Sequence, residues 1–290
     1  MAYSIIEEED RIILRDIGSF EPRHIFECGQ AFRWTVEEDK SYTTIAYGRV
    51  LNVKREGPDL ILKGSNPYDF NRIWKNYFDL NRDYEEIKSQ LSRDPILEEA
   101  IEFGHGIRIL NQEPFETSIS FIISANNQIP RIKKSIDLIS RYYGEKIGEG
   151  DFYSFPSPLA LSKAEPRDLK DLTKVGFRAE RIVETSKIIA RGDLDLDSIY
   201  DLSRDEGKEV LMTLPGVGPK VSDCILLFAY GKADAFPVDV WVKRVMEHFY
   251  LKKETNVKLI GSYGAEIFGD LAGFAQQYLF YYARELGIGK

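Results

Sequence analysis

The stretch Leu214-Pro215-Gly216-Val217-Gly218-Pro219-Lys220 constrains this 290-residue chain more than any other. Upstream, Ser203 followed three residues later by Glu206 predicts a capping box that starts a helix carrying Val210, Leu211 and Leu214. The Pro-Gly-Val-Gly run then breaks that helix. Pro219 suits the first position of a second helix, which extends through Tyr230. Two short helices joined by a glycine hairpin leave the N–H groups of Gly216, Gly218 and their neighbours unpaired at a helix N-terminus. Such a turn is an anion site, and phosphate is its natural ligand.

Lys220 falls in the first turn of that second helix, at the positive end of its dipole. The dipole disfavours an ammonium there, so the amine is a candidate nucleophile able to form a Schiff base with a sugar carbon. Taken alone, a lysine at a helix start more often only solvates a surface or touches phosphate. Nineteen residues on comes Phe236-Pro237-Val238-Asp239, followed by Val242, Val245, Met246 and Phe249 on one face. This pattern predicts a helix with Asp239 as its N-cap. A carboxylate so placed can also stabilise positive charge developing on a sugar. Neither residue decides the matter by itself.

The formal charge of −8 argues against a nucleic-acid partner, but its distribution softens the objection. Residues 1–100 carry 14 basic against 20 acidic side chains, and residues 101–290 carry 25 against 27. A phosphate site built from backbone amides needs no net positive charge. Hydrophobic residues make up 43% and charged ones 30%, which is a globular composition. No apolar run approaches the roughly 18 residues of a membrane span. The acidic start MAYSIIEEEDR lacks the basic and then apolar pattern of a signal peptide, so a cytoplasmic address is expected. Two cysteines, Cys28 and Cys224, cannot alone ligate an iron–sulfur cluster or a zinc ion.

Along the chain, segments 29–36, 42–53 and 59–63 are rich in aromatic and β-branched residues, with Glu56-Gly57-Pro58-Asp59 as a turn between two of them. Helical spacing begins near Tyr68, and from about residue 100 short helices alternate with Gly, Pro and Asn. Phe115, Ile119, Ile122 and Ile123 form one apolar stripe, and Ile132, Ile136, Ile139 and Tyr143 another. The expected fold class is α+β, mainly α. An N-terminal domain with an antiparallel β-sheet (residues 1–100) precedes a helical body (residues 101–290), with the two-helix hairpin at about 203–230.

Leu214–Asp223 (LPGVGPKVSD) with Phe236–Val240 (FPVDV) resembles the signature of the helix-hairpin-helix DNA glycosylases. Within that superfamily the chain looks like the 8-oxoguanine DNA glycosylase/AP lyase branch. The resemblance runs from Cys28-Gly29-Gln30-Ala31-Phe32-Arg33-Trp34 to Ala272-Gly273-Phe274-Ala275-Gln276-Gln277-Tyr278-Leu279-Phe280, nearly the whole chain. It implies a monomeric base excision repair enzyme acting on duplex DNA that contains 8-oxoguanine. Lys220 would attack C1′ of the damaged nucleotide, and the Schiff base would permit β-elimination on its 3′ side. Asp239 would stabilise positive charge at the sugar. The base would be everted into a pocket at a cost of a few kcal/mol.

In that pocket Gly29 matches the family glycine whose carbonyl accepts the N7–H that 8-oxoguanine has and guanine lacks. Cys224, four residues after Lys220, matches a cysteine that stacks on the base. Gln276 and Phe280 match residues that bond its edge and stack on its other face. Asn126, Arg131 and Arg178 match residues that contact the orphan cytosine, and Phe177 a wedge that is tyrosine in eukaryotic relatives. Trp241 stands where those relatives place a histidine, and with Phe177 and Pro130 it puts strict preference for a cytosine partner in doubt. The resemblance implies no required cofactor and no iron–sulfur cluster, with a monovalent or calcium ion at the main-chain carbonyls of Met212, Leu214 and Val217. Two other readings predict different behaviour. One is a bifunctional glycosylase for another oxidised purine; the other is a non-catalytic helix-hairpin-helix DNA-binding protein, in which Lys220 only touches phosphate.

Overall fold

The computed structural model of the chain describes residues 3–288. Its fold is α+β and mainly α, as expected. Six strands form one antiparallel sheet: β1 (Ser4–Glu7), β2 (Arg11–Arg15), β3 (Trp34–Val36), β4 (Tyr42–Ala46), β5 (Arg49–Glu56) and β6 (Asp59–Lys63). Their order is β1-β2-β6-β5-β4-β3. In the β2–β6 pair Ile12 faces Leu62 and Leu14 faces Leu60, and all four side chains are fully buried while their neighbours are more exposed. That alternation is the period of a sheet with one face in a core.

The strands differ from the sequence expectation in three places. Segment 42–53 is two strands, not one, because Tyr47 and Gly48 both take left-handed backbone (φ 52° and 66°) and turn the chain. Gly29–Arg33 is not extended; Gly29 has φ +77° and the buried Gln30 side chain ties the segment into a loop. β1 and β2 carry no predicted signal, since four- and five-residue strands around an acidic turn are too short to show alternation.

The chain divides into two compact units that it enters more than once. Residues 1–31, 53–111 and 231–290 form the first, and residues 32–52 and 112–230 the second. In the second unit the helices that matter are α1 (Pro114–Ser124), α2 (Ile129–Tyr143), α3 (Ala179–Ala190), α4 (Arg204–Leu211) and α5 (Pro219–Tyr230). The capping box at Ser203 and Glu206 is present. α5 is buried from Val221 to Tyr230, with Phe228 stacked on Phe121 of α1 at 5.5 Å.

In the first unit, α6 (Val240–Val245) continues into a single wider turn over Met246–Leu251, and α7 (Ala272–Leu286) carries the C-terminal motif. Residues 272–279 of α7 are all buried. A helix covered all round is expected to be apolar, so Gln276 and Gln277 in its middle need partners or a function. Among the described residues no helix is long and apolar enough to cross a membrane.

Candidate active site

The hairpin forms as the sequence predicts, between α4 and α5. Gly216 has φ +90°, a conformation that side chains resist, and an added Cβ would meet Arg181 Cδ and Ile122 Cγ2 at 3.1 Å. The Val217 N–H donates to the Leu214 carbonyl at 3.1 Å, so this neighbour is paired. Among the described residues neither Gly216 nor Gly218 donates its N–H to the protein. Two amides therefore remain at the start of α5, where the dipole favours an anion.

Lys220 is the second residue of α5 and half-buried. Its Nζ lies 5.3 Å from the centre of the Phe121 ring and makes no ion pair among the described residues. Cys224, one turn along, is a buried thiol 3% exposed and in no disulfide. Lys220 and Cys224 thus share a helix face, as their spacing requires. On α4 and α5 the Lys208 ammonium grips both oxygens of Asp223, at 2.8 and 2.7 Å. That pair fixes the register of the two helices one residue from Cys224. Sequence reasoning quoted Asp223 within the hairpin signature and gave it no role.

In the same unit, α1 ends at Ser124 and the chain turns through Asn126, whose φ is +51°. Arg178 is 7% exposed, and its guanidinium donates to the carbonyls of Ala125, Asn126 and Val175. Burial, and next to it the Arg181 charge, pulls Arg178 below the usual arginine range. Asn126 and Arg178 are therefore brought together, with the arginine holding the Asn126 backbone. Arg131 stands apart from that contact. It is exposed on the first turn of α2, and its side chain bonds to no described residue.

Phe177 is 62% exposed, with the Arg178 and Arg181 guanidinium carbons 4.4 and 5.5 Å from its ring centre. An apolar ring held outward between two cations is suited to entering a stack of bases between two phosphate strands. Arg181 was missed by sequence reasoning, because it reads as one more solvated charge on α3. A separate cavity of about 290 Å³ in this unit, lined by Arg33, Trp34, Lys133, Lys134, Arg141 and Tyr153 among others, contains none of the residues given a catalytic or base-contacting role above.

The first unit holds the remaining candidates. Asp239 caps α6 as predicted, its Oδ1 accepting from the N–H groups of Trp241 at 2.9 Å and Val242 at 2.8 Å. Gly29 and Phe280 meet. A Cβ on Gly29 would stand 3.0 Å from Phe280 Cε1 and 3.1 Å from Cζ, so the ring would have to give by a few tenths of an ångström, and φ +77° strains any side chain there. Gln276 lies one turn before Phe280 on α7 and is 5% exposed. Its Oε1 is buried with no hydrogen-bond donor among the described residues. A buried acceptor without a donor costs about 1–3 kcal/mol, which a ligand N–H would recover. Cys28 is a buried free thiol pushed up to about 11, chiefly by burial, which keeps it protonated.

Two family models match the chain, one on either side of residue 118. Residues 12–117 match the 8-oxoguanine DNA glycosylase N-terminal domain, and residues 119–262 the HhH-GPD superfamily of base excision DNA repair proteins. The chain is 36% identical over 232 residues to the probable N-glycosylase/DNA lyase of Methanothermobacter thermautotrophicus, covering 73% of this chain and 74% of that protein. It is 30% identical over 275 residues to the N-glycosylase/DNA lyase OGG1 of Arabidopsis thaliana, covering 88% of this chain and 75% of that one. A crystal structure of Clostridium acetobutylicum 8-oxoguanine glycosylase/lyase, in complex with double-stranded DNA containing cytosine opposite 8-oxoguanine, superposes with a TM-score of 0.97. It shares 46% identity over 99% of this chain and 100% of that one. The 3-methyladenine DNA glycosylase of Archaeoglobus fulgidus, at 20% identity and a TM-score of 0.74, shares the fold alone.

Proposed function

Because the chain belongs to the 8-oxoguanine DNA glycosylase family of the helix-hairpin-helix superfamily, we propose that its two halves of chemistry reside in Lys220 and in the Gly29, Gln276 and Phe280 wall. The protein is a bifunctional DNA N-glycosylase and AP lyase that excises 8-oxoguanine. The Lys220 amine attacks C1′ while the glycosidic bond breaks and its electrons leave with the base. Ring opening gives a Schiff base; loss of a C2′ proton then expels the 3′ phosphate. Asp239 stabilises the positive charge that develops at the sugar. Gly29 offers its carbonyl to N7–H, which guanine lacks, so guanine leaves two acceptors facing each other. Gln276 bonds the base edge, Phe280 stacks on one face and Cys224 on the other.

Phe177 enters the stack where the lesion leaves it, and Asn126, Arg131 and Arg178 receive the orphan base. The amides of Gly216 and Gly218 hold a backbone phosphate. Such a reaction needs no cofactor. An ion at the hairpin would be held by the main-chain oxygens of Met212, Leu214 and Val217. The Leu214 oxygen already accepts from Val217 and keeps a second lone pair for a cation. Its charge would strengthen the phosphate site. One chain per lesion, working wherever the cell keeps its DNA, completes this reading.

The observation that carries it is the close contact of Gly29, in left-handed backbone, with Phe280, beside an orphaned buried acceptor on Gln276. Such a wall fits a planar base that donates hydrogen bonds. Borohydride reduction in the presence of a duplex containing 8-oxoguanine tests the chemistry. Wild type should be trapped covalently and Lys220→Gln should not. A wild-type protein that binds the duplex without ever forming an adduct overturns the assignment of Lys220.

A further inference from the structure

The loop that carries Gly29 is held from both sides by side chains to which no role has been given. Gln277 Nε2 donates to the Cys28 carbonyl at 2.7 Å. Arg284 Nη2 donates to the Glu27 carbonyl, and its guanidinium carbon lies 5.2 Å from the centre of the Phe280 ring. The same guanidinium bonds Glu285 at 2.8 Å and would touch a Cβ on Gly29 at 3.6 Å. On the far side of the loop, Gln30 Nε2 donates to the carbonyls of Ile25 at 2.9 Å and Arg108 at 2.7 Å, while its Oε1 accepts from Leu110 N–H at 2.8 Å. The peptide planes before Gly29 and the residue after it are thus fixed, with Gly29 between them in the left-handed region.

We propose that Gln277 and Arg284 are positioning residues for lesion discrimination: by pinning the Glu27 and Cys28 carbonyls they set the direction of the Gly29 carbonyl, and Arg284 at the same time sets the Phe280 ring. This rests on the reading of Gly29 and Phe280 as base contacts given above. The placement of Gln277 in the structure supports it directly. The residue is 1% exposed in a helix stretch buried on all sides, where an unpaired amide would be costly, and it bonds a loop carbonyl about 250 residues away in sequence. A carbonyl reads N7 only if it stays within a narrow cone, because hydrogen bonds weaken steeply as they bend. A glycine in left-handed backbone has no side chain of its own to restrict it, so the restriction comes from its neighbours.

Excision of 8-oxoguanine needs this wall, whereas cleavage at a preformed abasic site needs the amine and not the wall. Gln277→Met keeps the volume and removes the donor. Arg284→Met removes the guanidinium, and Arg284→Lys keeps one charged donor. In duplexes with cytosine opposite the lesion, Gln277→Met and Arg284→Met should each lower kcat/KM for 8-oxoguanine about tenfold, the scale of one lost hydrogen bond. Preference for the lesion over guanine in equilibrium binding should narrow with it. Abasic-site cleavage should stay within about twofold of wild type, since no step of that reaction contacts the wall. Arg284→Lys should recover part of the loss.

Unchanged 8-oxoguanine excision in folded Gln277→Met, or an equal loss on abasic DNA, overturns the proposal. Should Arg284→Met fail to fold, Gln277→Met and Arg284→Lys decide alone. The underlying reading fails separately, if wild type itself does not excise 8-oxoguanine.

Discussion

The hairpin at 212–218 and the loop at 27–29 are the two places where the proposed reaction has glycine backbone meet DNA, and they are built in opposite ways. At the hairpin two backbone donors are left open at a helix end, with a lysine half-buried beside them that makes no ion pair among the described residues. Around Gly29 the flanking carbonyls are already occupied by protein donors, and the Gln276 acceptor is left without a donor among the described residues. An anion held through amides tolerates loose geometry, because charge and dipole fall off slowly with angle. Telling an N–H from a lone pair does not tolerate it. Open donors therefore suit affinity, and a pinned carbonyl suits discrimination, which is how a chain of net charge −8 can bind a polyanion and still choose one base.

Replacing the two kinds of glycine should separate these roles. The largest effect is expected for Gly29→Ala, where positive φ strains a side chain and contacts of 3.0 and 3.1 Å would force the Phe280 ring to shift. Single-turnover excision of 8-oxoguanine should fall about a hundredfold, the effect of moving a contact by about an ångström. Cleavage of abasic DNA should persist. Equal loss in both assays would break the contrast. Gly216→Ala should act next, costing about 1–2 kcal/mol in chemical denaturation for left-handed backbone and weakening binding to damaged and undamaged duplexes alike. Gly218→Ala sharpens the point. Nothing lies within 4 Å of its added carbon, so stability should stay near wild type, and any loss of affinity would come from the phosphate side.

The smallest effect concerns a carboxylate near neither glycine. Burial pushes Glu116 up to about 7 from 4.5, even with the Arg33 guanidinium 3.2 Å away. The folded chain keeps a proton that the unfolded chain releases, so this group stabilises fully below pH 4.5 and its contribution is lost as pH rises through 7. Glu116→Gln should flatten that part of the stability profile when urea midpoints are compared across the range. An unaltered slope would remove Glu116 as its source.

How much of this was legible beforehand follows from the range of each signal. The capping box at Ser203, the Asp239 cap and the break at Pro215–Gly218 are local, and the structure has each where the sequence puts it. β1, β2 and the turn at Tyr47–Gly48 were not legible, since four or five residues give too few alternations and a left-handed tyrosine leaves no compositional mark. The wider turn at Met246–Leu251 inserts one residue into a helix, so the face drawn through Val242 and Phe249 slips, leaving Val242 buried and Phe249 only partly so. At the candidate site, Lys220, Gly29 and Phe280 stood out through motif and resemblance. Gln277, Arg284 and Arg181 did not. Each matters through a bond or ring contact made in space, and a single polar residue on a helix has no period to betray it.

The path of the backbone has a practical corollary. Because one compact unit is assembled from three separate stretches and the other from two, no single cut releases either intact. Trimming from one terminus, or expressing the piece on either side of residue 118, would leave each product with part of one interior and part of the other. This repair enzyme is divisible on paper but not at the bench.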